Sequence, residues 1–367
     1  MNELPRYINE KKKIYELLLI FLDSPNNEQN NFLSLINIII KLKIHENGEL
    51  LENFLRLVSC ICSNRQRKSN LIPKTLQIIQ YFQDQIKQTL SNISIYKIFE
   101  DDRLLLLHLI ENGLITFDLD VFRDMATYKA PNCHFFKPEI QKVTEGIELT
   151  DFERQFVSET AVSDDFEEKR HRGENDSYLC EVIRSDMIHE FIRYTSQKKI
   201  PLSRSIERSI FESNNFLNEN DPTLIQYACF FGSLKVANYL LQRKVEVEPS
   251  LMVYAVHSRS AAMLHFVEEN CTETTISLFN ECVSEGIKCH HNEIACYFIN
   301  NYLFENDEAV VCSALKHHNY EFFPDDFSKN NGFFYLCSNN YSEIVDLYIK
   351  MKEEEIKKEI IKTKKQF

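Results

Sequence analysis

The segment TLIQYACFFGSLKVANYLLQRKVEV, residues Thr223–Val247, reads as two amphipathic helices joined by a tight turn at Gly232. Weaker copies of this pattern recur along the chain at a spacing of about 30 residues. Recurrence at that spacing is typical of a solenoid, in which consecutive helix pairs stack and bury a shared core. A solenoid offers partners an extended surface rather than one closed pocket, so the repeat favours a binding function.

The copies align on one residue in the first helix of each pair, which is Ala228 in the quoted segment. Apolar residues follow this anchor at offsets of 8, 11 and 12, which places them on one face of the second helix. The same offsets hold for the anchors Ile98, Cys180, Ala228, Ala255, Gly286 and Leu336. Ala314 starts a degenerate copy, because Asp325 and Asp326 interrupt its apolar positions. The anchors from Ala228 onward are 27, 31, 28 and 22 residues apart, which indicates a diverged array.

The composition favours a folded helical protein and disfavours several other classes. Apolar residues make up 44% of the 367 residues, and the chain contains only 7 glycines and no tryptophan. Scarce glycine with abundant Leu, Ile, Glu and Lys indicates helices joined by short polar turns. The net charge of −13 lacks the basic footprint of a nucleic-acid-binding protein, so we expect no nucleic-acid partner.

The cysteines and the lengths of the apolar runs indicate the cellular compartment of the protein. Eleven cysteines, an odd number, occur mostly inside apolar helical patterns, which predicts buried thiols in a reducing compartment. The first residues, MNELPRYINEKKKI, lack the apolar segment of a signal peptide. The longest apolar runs are shorter than the ~20 residues of a membrane helix, so no membrane association is expected. These features predict a cytoplasmic location and leave the nucleus open.

The repeats divide the chain into predicted regions. We expect an all-α fold, a helical-pair solenoid with a helical N-terminal cap. The regions are a cap at 1–93, a divergent repeat at 94–115, an insertion or linker at 116–173, a repeat array at 174–350 and a charged tail at 351–367. The insertion is expected to be part helix and part mobile loop, because prolines and an acidic stretch break the rhythm.

The quoted segment resembles the ankyrin repeat. Thr223, Ile225, Ala228 and Gly232 match that family's signature T-P-L-H-x-A-A-x-x-G-H, and the pair Leu240 and Leu241 matches its second helix. The chain is also similar to divergent protist ankyrin proteins that carry a domain of unknown function, through Gly173–Ile192 and Glu281–Asn301. The anchor spacing is shorter than the usual ~33 residues, which implies short or absent β-turn fingers.

The ankyrin resemblance implies where partners bind. The family contacts partners at the turn beside its concave surface, one or two residues beyond the paired alanines. Counting from the anchors gives Phe230, Phe231, His257, Ser258, Lys288, Cys289, Lys316, His317, Ser338 and Asn339. An exposed Phe230–Phe231 pair would suit a binding hot spot. In the alternative interpretation, this pair packs on the connection at 203–220.

The sequence gives no sign of a catalytic or metal site. Cys282, Cys289 and Cys296 lie seven residues apart with two histidines between them, but a predicted turn at 290–292 splits this row. The pairs at 290–291 and 317–318 are interpreted as solvated turn histidines. Adjacent aspartates at 101–102 and 325–326 are expected to cap helices. We predict no cofactor and no metal.

These observations predict a non-catalytic scaffold or adaptor that recognises an unknown protein partner through the concave face. A rigid stacked surface loses little entropy on binding, so a few anchoring side chains suffice. We expect a monomer. The alternatives are a hydrolase built around Cys and His, and a self-associating structural array.

Overall fold

The fold is known from a computed structural model that describes residues 3–25, 29–66, 70–157, 163–271, 274–302, 308–324 and 326–366, with side chains as far as Lys357. Helices account for 71% of the chain, and the described residues contain no β-strand. Their only β-type pairing is an isolated bridge between Ser205 and Thr223. The prediction of an all-α fold is therefore confirmed.

The helices follow one another along the whole chain. The first twelve are α1 (Glu3–Asp23), α2 (Gln29–Lys41), α3 (Gly48–Asn64), α4 (Leu71–Tyr81), α5 (Gln83–Thr89), α6 (Asn92–Phe99), α7 (Arg103–Glu111), α8 (Leu119–Tyr128), α9 (Asn132–Phe135), α10 (Lys137–Thr144), α11 (Asp151–Arg154) and α12 (Phe166–Arg172). The others are α13 (Tyr178–Arg184), α14 (Ile188–Lys198), α15 (Asn215–Asn220), α16 (Leu224–Phe231), α17 (Leu234–Gln242), α18 (Leu251–Ser258), α19 (Ala261–Asn270), α20 (Ile276–Lys288), α21 (Asn292–Tyr302), α22 (Glu308–Lys316), α23 (Gly332–Ser338) and α24 (Ser342–Gln366). Two 3₁₀ turns cover Ile44–Glu46 and Tyr320–Phe322. None of the helices in the described ranges has both the length and the apolar character needed to cross a bilayer.

The chain forms two compact units. One unit joins the two ends of the chain, Met1–Lys41 and Thr275–Phe367, and the other comprises Leu42–Thr274. The predicted cap region, residues 1–93, is therefore divided between them. The predicted insertion, residues 116–173, lies in the second unit and contains α8 to α12. Its aromatic side chains Phe122, Phe135 and Phe136 are fully buried there.

The quoted segment forms α16 and α17, as its pattern predicts. Thr223 and Gln226 form a capping box, in which each side chain accepts a hydrogen bond from the other residue's backbone N–H. Gly232 ends α16 with φ of 72°, a left-handed conformation that favours glycine. The predicted apolar positions Val236 and Leu240 are fully buried. The capping residues and the buried apolar face thus both specify the same two-helix hairpin.

Most of the predicted anchors share one backbone feature. In the turn after the first helix, one residue has a left-handed backbone conformation, with positive φ. The next residue donates its N–H to the anchor's carbonyl, a Schellman-type bond that closes the helix end. These bonds run from Ser233 to Ala228, His291 to Gly286 and Asn319 to Ala314, each at 2.9 Å, and from Tyr341 to Leu336 at 3.1 Å. Equivalent local geometry supports the alignment of these four anchors.

The anchor Cys180 is wrong by two residues. Asp186 is the left-handed residue of that turn, with φ of 50°. The following N–H, of Met187, bonds the carbonyl of Val182 at 3.1 Å. Both Cys180 and Val182 are buried, so the apolar pattern alone did not distinguish them. The turn fixes the register because its left-handed residue determines which carbonyl closes the helix.

Helix pairs lie side by side within each unit. In the unit 42–274, α13 contacts α16 and α16 contacts α18, while α14 contacts α17 and α17 contacts α19. In the terminal unit, α20 contacts both α21 and α22, α22 contacts α23, and α23 contacts α24. The pair that starts at Ala314 is degenerate, as predicted, because a 3₁₀ turn follows α22 where a second helix would stand.

Side chains at the turns tie neighbouring pairs together. Three of them donate to the carbonyl of the penultimate residue in the preceding pair's first helix. These bonds run from Ser233 to Ile183 at 2.6 Å, from Asn319 to Ile287 at 3.0 Å and from Tyr341 to Leu315 at 2.9 Å. The last carbonyls of a helix have no partner inside it, so each pair completes the hydrogen bonding of its neighbour.

Candidate functional site: an aromatic cleft and the predicted turn residues

The structure corrects the predicted hot spot at the end of α16. Phe230 is only 1% exposed, because α16 extends through it and turns its ring inward. Its ring stacks on Phe216 and on His257, with centroids 6.0 and 4.6 Å apart. Phe216 belongs to the connection at 203–220, so the alternative interpretation holds for Phe230. His257, also predicted to contact a partner, is likewise buried, at 2% exposure.

The other predicted turn residues differ in exposure. Phe231 is half-buried against Tyr227, at 4.8 Å between centroids. Ser258, Lys288, His317 and Asn339 are half-buried, Lys316 and Ser338 are exposed, and Cys289 is buried. Partner binding by the accessible members of this set remains a prediction.

The turn histidines are not solvated, which corrects that expectation. His290 and His291 are 1% and 4% exposed. His317 is half-buried, and burial, followed by the charges of Lys288 and Lys316, lowers its pKa to about 3. A neutral imidazole is therefore the folded form of His317 near neutral pH.

We expect His317 to make the stability depend on pH. Its pKa falls from 6.5 to about 3 on folding, so the unfolded chain binds more protons between these values. The folding stability that His317 contributes is complete above its unfolded pKa of 6.5 and is lost as the pH falls toward 3. Urea unfolding of wild type and His317→Gln at several pH values should show a shallower acid loss in the variant. His265→Gln is the control, since the His265 side chain is 69% exposed. Identical pH profiles for wild type and His317→Gln would refute this role.

A buried polar network joins the first helix to the turns of the terminal unit. The Tyr15 hydroxyl donates to Asn319 Oδ1 at 2.9 Å and lies 3.1 Å from His290 Nδ1. Asn319 is fully buried, and its amide donates to Asn292 Oδ1 at 2.9 Å. Tyr15, Asn292 and Asn319 hydrogen-bond one another, as buried polar side chains usually do. The network therefore organises the core of this unit.

The row of cysteines at 282, 289 and 296 is divided as predicted. Cys282 lies in α20, Cys289 follows the last residue of that helix, and Cys296 lies in α21. Burial raises the pKa of Cys133 to about 11 and that of Cys180 to about 12, and it raises the pKa values of Cys229, Cys271, Cys282 and Cys296 as well. A catalytic thiol needs a lowered pKa, so these six lack that activation.

The paired aspartates have different roles. Asp102 caps α7 as predicted, since its side chain accepts from the N–H of Leu105 at 3.0 Å. Asp326 instead accepts from the backbone and hydroxyl of Ser328, and these hydrogen bonds lower its pKa. Asp325 lies outside the described residues.

The terminal unit contains a large concave feature, which we name the aromatic cleft. It has a volume of about 1030 Å³ and is lined by the first half of α1, Val310 and Val311 of α22, the 3₁₀ turn at Tyr320–Phe322, described residues between 323 and 330, and α24. Its floor is a chain of rings. Tyr320 stacks on Phe323 at 4.5 Å, Phe323 meets Phe327 at 6.4 Å, and Phe327 meets Tyr348 at 6.2 Å between centroids.

The rim of the aromatic cleft is charged but nearly neutral in sum. Lys12 of α1 pairs with Glu321 at 3.0 Å, and Lys352 pairs with Glu355 at 3.0 Å. The Lys352 ammonium also lies 5.5 Å from the centre of the Tyr348 ring, within cation–π range. Such a rim orients a ligand by hydrogen bonds and attracts neither sign of charge strongly.

The cleft combines an aromatic floor with polar and charged groups, a combination typical of ligand sites. Its described lining includes three carboxylates and three lysines but no cysteine, serine or histidine. Sequence reasoning missed this site, because its walls come from three segments far apart in the chain. The aromatic run Tyr320, Phe322 and Phe323 was the one local signal available.

Comparison with protein-family models, curated proteins and solved structures finds no match to this chain.

Proposed function

We propose that this protein is a non-catalytic scaffold or adaptor that recognises a segment of another protein. The observation that carries the proposal is the aromatic cleft of about 1030 Å³, with its apolar floor and its paired charges. Aromatic side chains in a concave, partly dry site supply most of the binding energy in protein recognition. We further propose that the protein is a monomer in a reducing, intracellular compartment, which the buried thiols Cys133, Cys180 and Cys229 support.

The helix pairs support the solenoid part of this proposal. Neighbouring pairs contact one another within each unit, and side chains at three turns close the preceding helix. A stack of this kind holds its surface rigidly, so a partner that binds there orders few additional groups. We propose that the accessible turn residues, such as Lys316 and Ser338, form a second contact surface.

A hydrolase is the less favoured alternative. A Cys–His hydrolase needs a thiolate beside a base in a site that substrate can enter. Burial raises the pKa of six cysteines in this chain, and the described lining of the cleft offers no such pair.

A peptide display experiment tests the proposed binding function. Immobilised full-length protein should enrich peptides with apolar or aromatic anchors from a random library. The double variant Phe322→Ala and Met351→Ala should lose at least tenfold in affinity for these peptides, because both half-buried side chains line the cleft.

The matched control is Phe334→Ala, which removes a phenylalanine of the same unit that is 65% exposed and lies outside the cleft. It should bind the selected peptides as wild type does. The proposal fails if no peptide is enriched, or if the selected peptides bind the cleft variant and wild type equally. Helical melts of all three proteins show whether a loss of binding reflects unfolding.

A further inference from the structure

Two histidines and a glutamate converge in the unit 42–274, which does not contain the aromatic cleft. His108 and Glu111 lie one turn apart on α7, and His171 lies in the last turn of α12. Their nearest ligand atoms all lie within 4.8 Å of one another. Glu111 faces both rings, with Oε1 2.7 Å from His171 Nε2 and Oε2 3.4 Å from His108 Nδ1.

The hydrogen bond at His171 Nδ1, the ring nitrogen that faces away from Glu111, determines the tautomer of the imidazole. Nδ1 lies 2.7 Å from the backbone carbonyl of Glu167, which can only accept, so Nδ1 carries the hydrogen. Nε2 then faces the Glu111 carboxylate with either a second proton or a metal ion. A carbonyl that fixes the outer nitrogen of a ligating histidine is a recurrent second-shell arrangement in zinc sites.

The spacing of the three groups fits a small tetrahedral ion. Zinc lies about 2.0–2.1 Å from imidazole nitrogen and about 2.0–2.2 Å from carboxylate oxygen, so ligand atoms of a tetrahedral site are about 3.3 Å apart. Glu111 Oε1 lies 2.7 Å from His171 Nε2, and Glu111 Oε2 lies 3.4 Å from His108 Nδ1. With all three groups within 4.8 Å of one another, the set is close enough for a shared ion after side-chain rotation.

The backbone around the three groups is firmly held. Gly173, which ends α12 with φ of 63°, approaches α7 so closely that an added Cβ would lie 2.5 Å from Leu104 Cδ2. Arg170 of α12 is 3% exposed and pairs with Glu139 at 2.7 Å and with Glu167 at 2.8 Å. The close approach of Gly173 to Leu104 therefore places the end of α12, with His171, against α7.

Exposure also favours a metal. The side chains of His108, Glu111 and His171 are 23%, 36% and 39% exposed, so an ion can enter and keep a water ligand.

We propose that His108, Glu111 and His171 form a zinc site that fastens α12 to α7, with a water molecule completing the coordination. Two imidazoles and one carboxylate are ligands that zinc accepts in proteins. The three residues span 108 to 171 in sequence and join a repeat helix to the end of the predicted insertion. Zinc would therefore brace a contact that the fold already makes.

Zinc titration of the full-length protein tests this site. After treatment with a chelator, wild type should bind zinc at this site, and the metal should raise the thermal midpoint. His171→Ala and His108→Ala should each bind one equivalent less than wild type, or bind that equivalent at least tenfold more weakly. Glu111→Gln, which keeps the side-chain shape, should weaken binding in the same direction.

Two controls separate this site from the cysteines and from chance pairs. His265 and Glu268 have the same spacing on α19, and their nearest atoms are 3.3 Å apart, but no third ligand is grouped with them among the described residues. His265→Ala should therefore bind zinc as wild type does. Cobalt in place of zinc should give tetrahedral d–d absorption without thiolate charge transfer, and that signal should vanish in His171→Ala. If His171→Ala keeps every equivalent of zinc, or wild type shows only thiolate-bound metal, then the three side chains form only a hydrogen-bonded cluster and the proposal is overturned.

Discussion

Replacing Phe230 by alanine is expected to destabilise the unit 42–274 by about 3–5 kcal/mol, the usual cost of removing a fully buried phenylalanine. The ring is 1% exposed and packs against Phe216, His257 and Phe231, whose centroids lie 6.0, 4.6 and 4.9 Å away. Its loss would leave a cavity lined by rigid rings that cannot collapse easily. Equilibrium urea unfolding, followed by far-UV circular dichroism, measures the change.

Phe231→Ala is the matched control, because it removes the same side chain from the next position of the same helix. Phe231 is half-buried, so its truncation should cost less than half as much as that of Phe230. If Phe230→Ala changes the free energy of unfolding by less than about 1 kcal/mol, the ring does not pack as described. An exposed Phe230–Phe231 pair would then be the better interpretation.

Replacing Asn319 by alanine should destabilise the terminal unit by about 2–5 kcal/mol. Asn319 is fully buried, and it bonds the Tyr15 hydroxyl, the amide oxygen of Asn292 and the carbonyl of Ile287. Alanine would leave at least two of these groups buried without the hydrogen bond to Asn319. Each lost bond costs about 1–3 kcal/mol of folding free energy. The loss should appear in chemical unfolding as an earlier transition of the terminal unit.

Asn301→Ala provides the comparison for Asn319→Ala. Asn301 is an exposed asparagine of α21. Its side-chain amide donates to the backbone carbonyl of Tyr297, in the same helix, at 2.7 Å. Water can replace that bond, so the expected change is below about 0.5 kcal/mol. Equal effects of the two substitutions would argue against a buried network at Asn319.

Local features of the fold were predictable from the sequence. The hairpin at Thr223–Val247 combines a capping box, an apolar stripe and a glycine in the left-handed position, and all three agree. Asp102 at the start of α7 was predictable for the same reason, since a helix N-terminus selects its side chain locally. Such features depend on residues within one or two turns of each other.

Other features depended on information that local pattern does not contain. The turn after α13 uses Asp186 rather than glycine in the left-handed position, so the apolar pattern alone placed that anchor at Cys180 and not at Val182. Phe230 was predicted to be exposed because its inward stacking depends on Phe216, in a connection without periodicity.

The candidate sites were the least predictable part. The aromatic cleft draws its walls from α1, from the segment after α22 and from α24, which only the fold brings together. Glu111 and His171 are likewise sixty residues apart in the sequence, although their side chains touch. Spacing rules for metal and catalytic motifs apply to ligands on one element; His108 and Glu111 share α7, but the third ligand, His171, comes from α12.

Neighbouring helix pairs that lie side by side are the basis of the proposed stack, and a disulfide between two pairs tests this arrangement most directly. A Cβ placed on Gly232, in the turn after α16, would lie 3.5 Å from Cβ of Ser258 at the end of α18. This distance is at the lower end of the disulfide range of about 3.5–4.5 Å between Cβ atoms.

The double variant Gly232→Cys and Ser258→Cys should therefore form this disulfide on mild oxidation, with the crosslinked peptides identified by mass spectrometry. Gly146→Cys with Ser258→Cys is the control, because Gly146 has a similar φ of 71° and a Cβ added there would meet no atom within 4 Å. Side-by-side hairpins predict efficient crosslinking of the first variant and none in the control. A first variant that stays reduced while its helical melt matches wild type would show that the two hairpins are not neighbours.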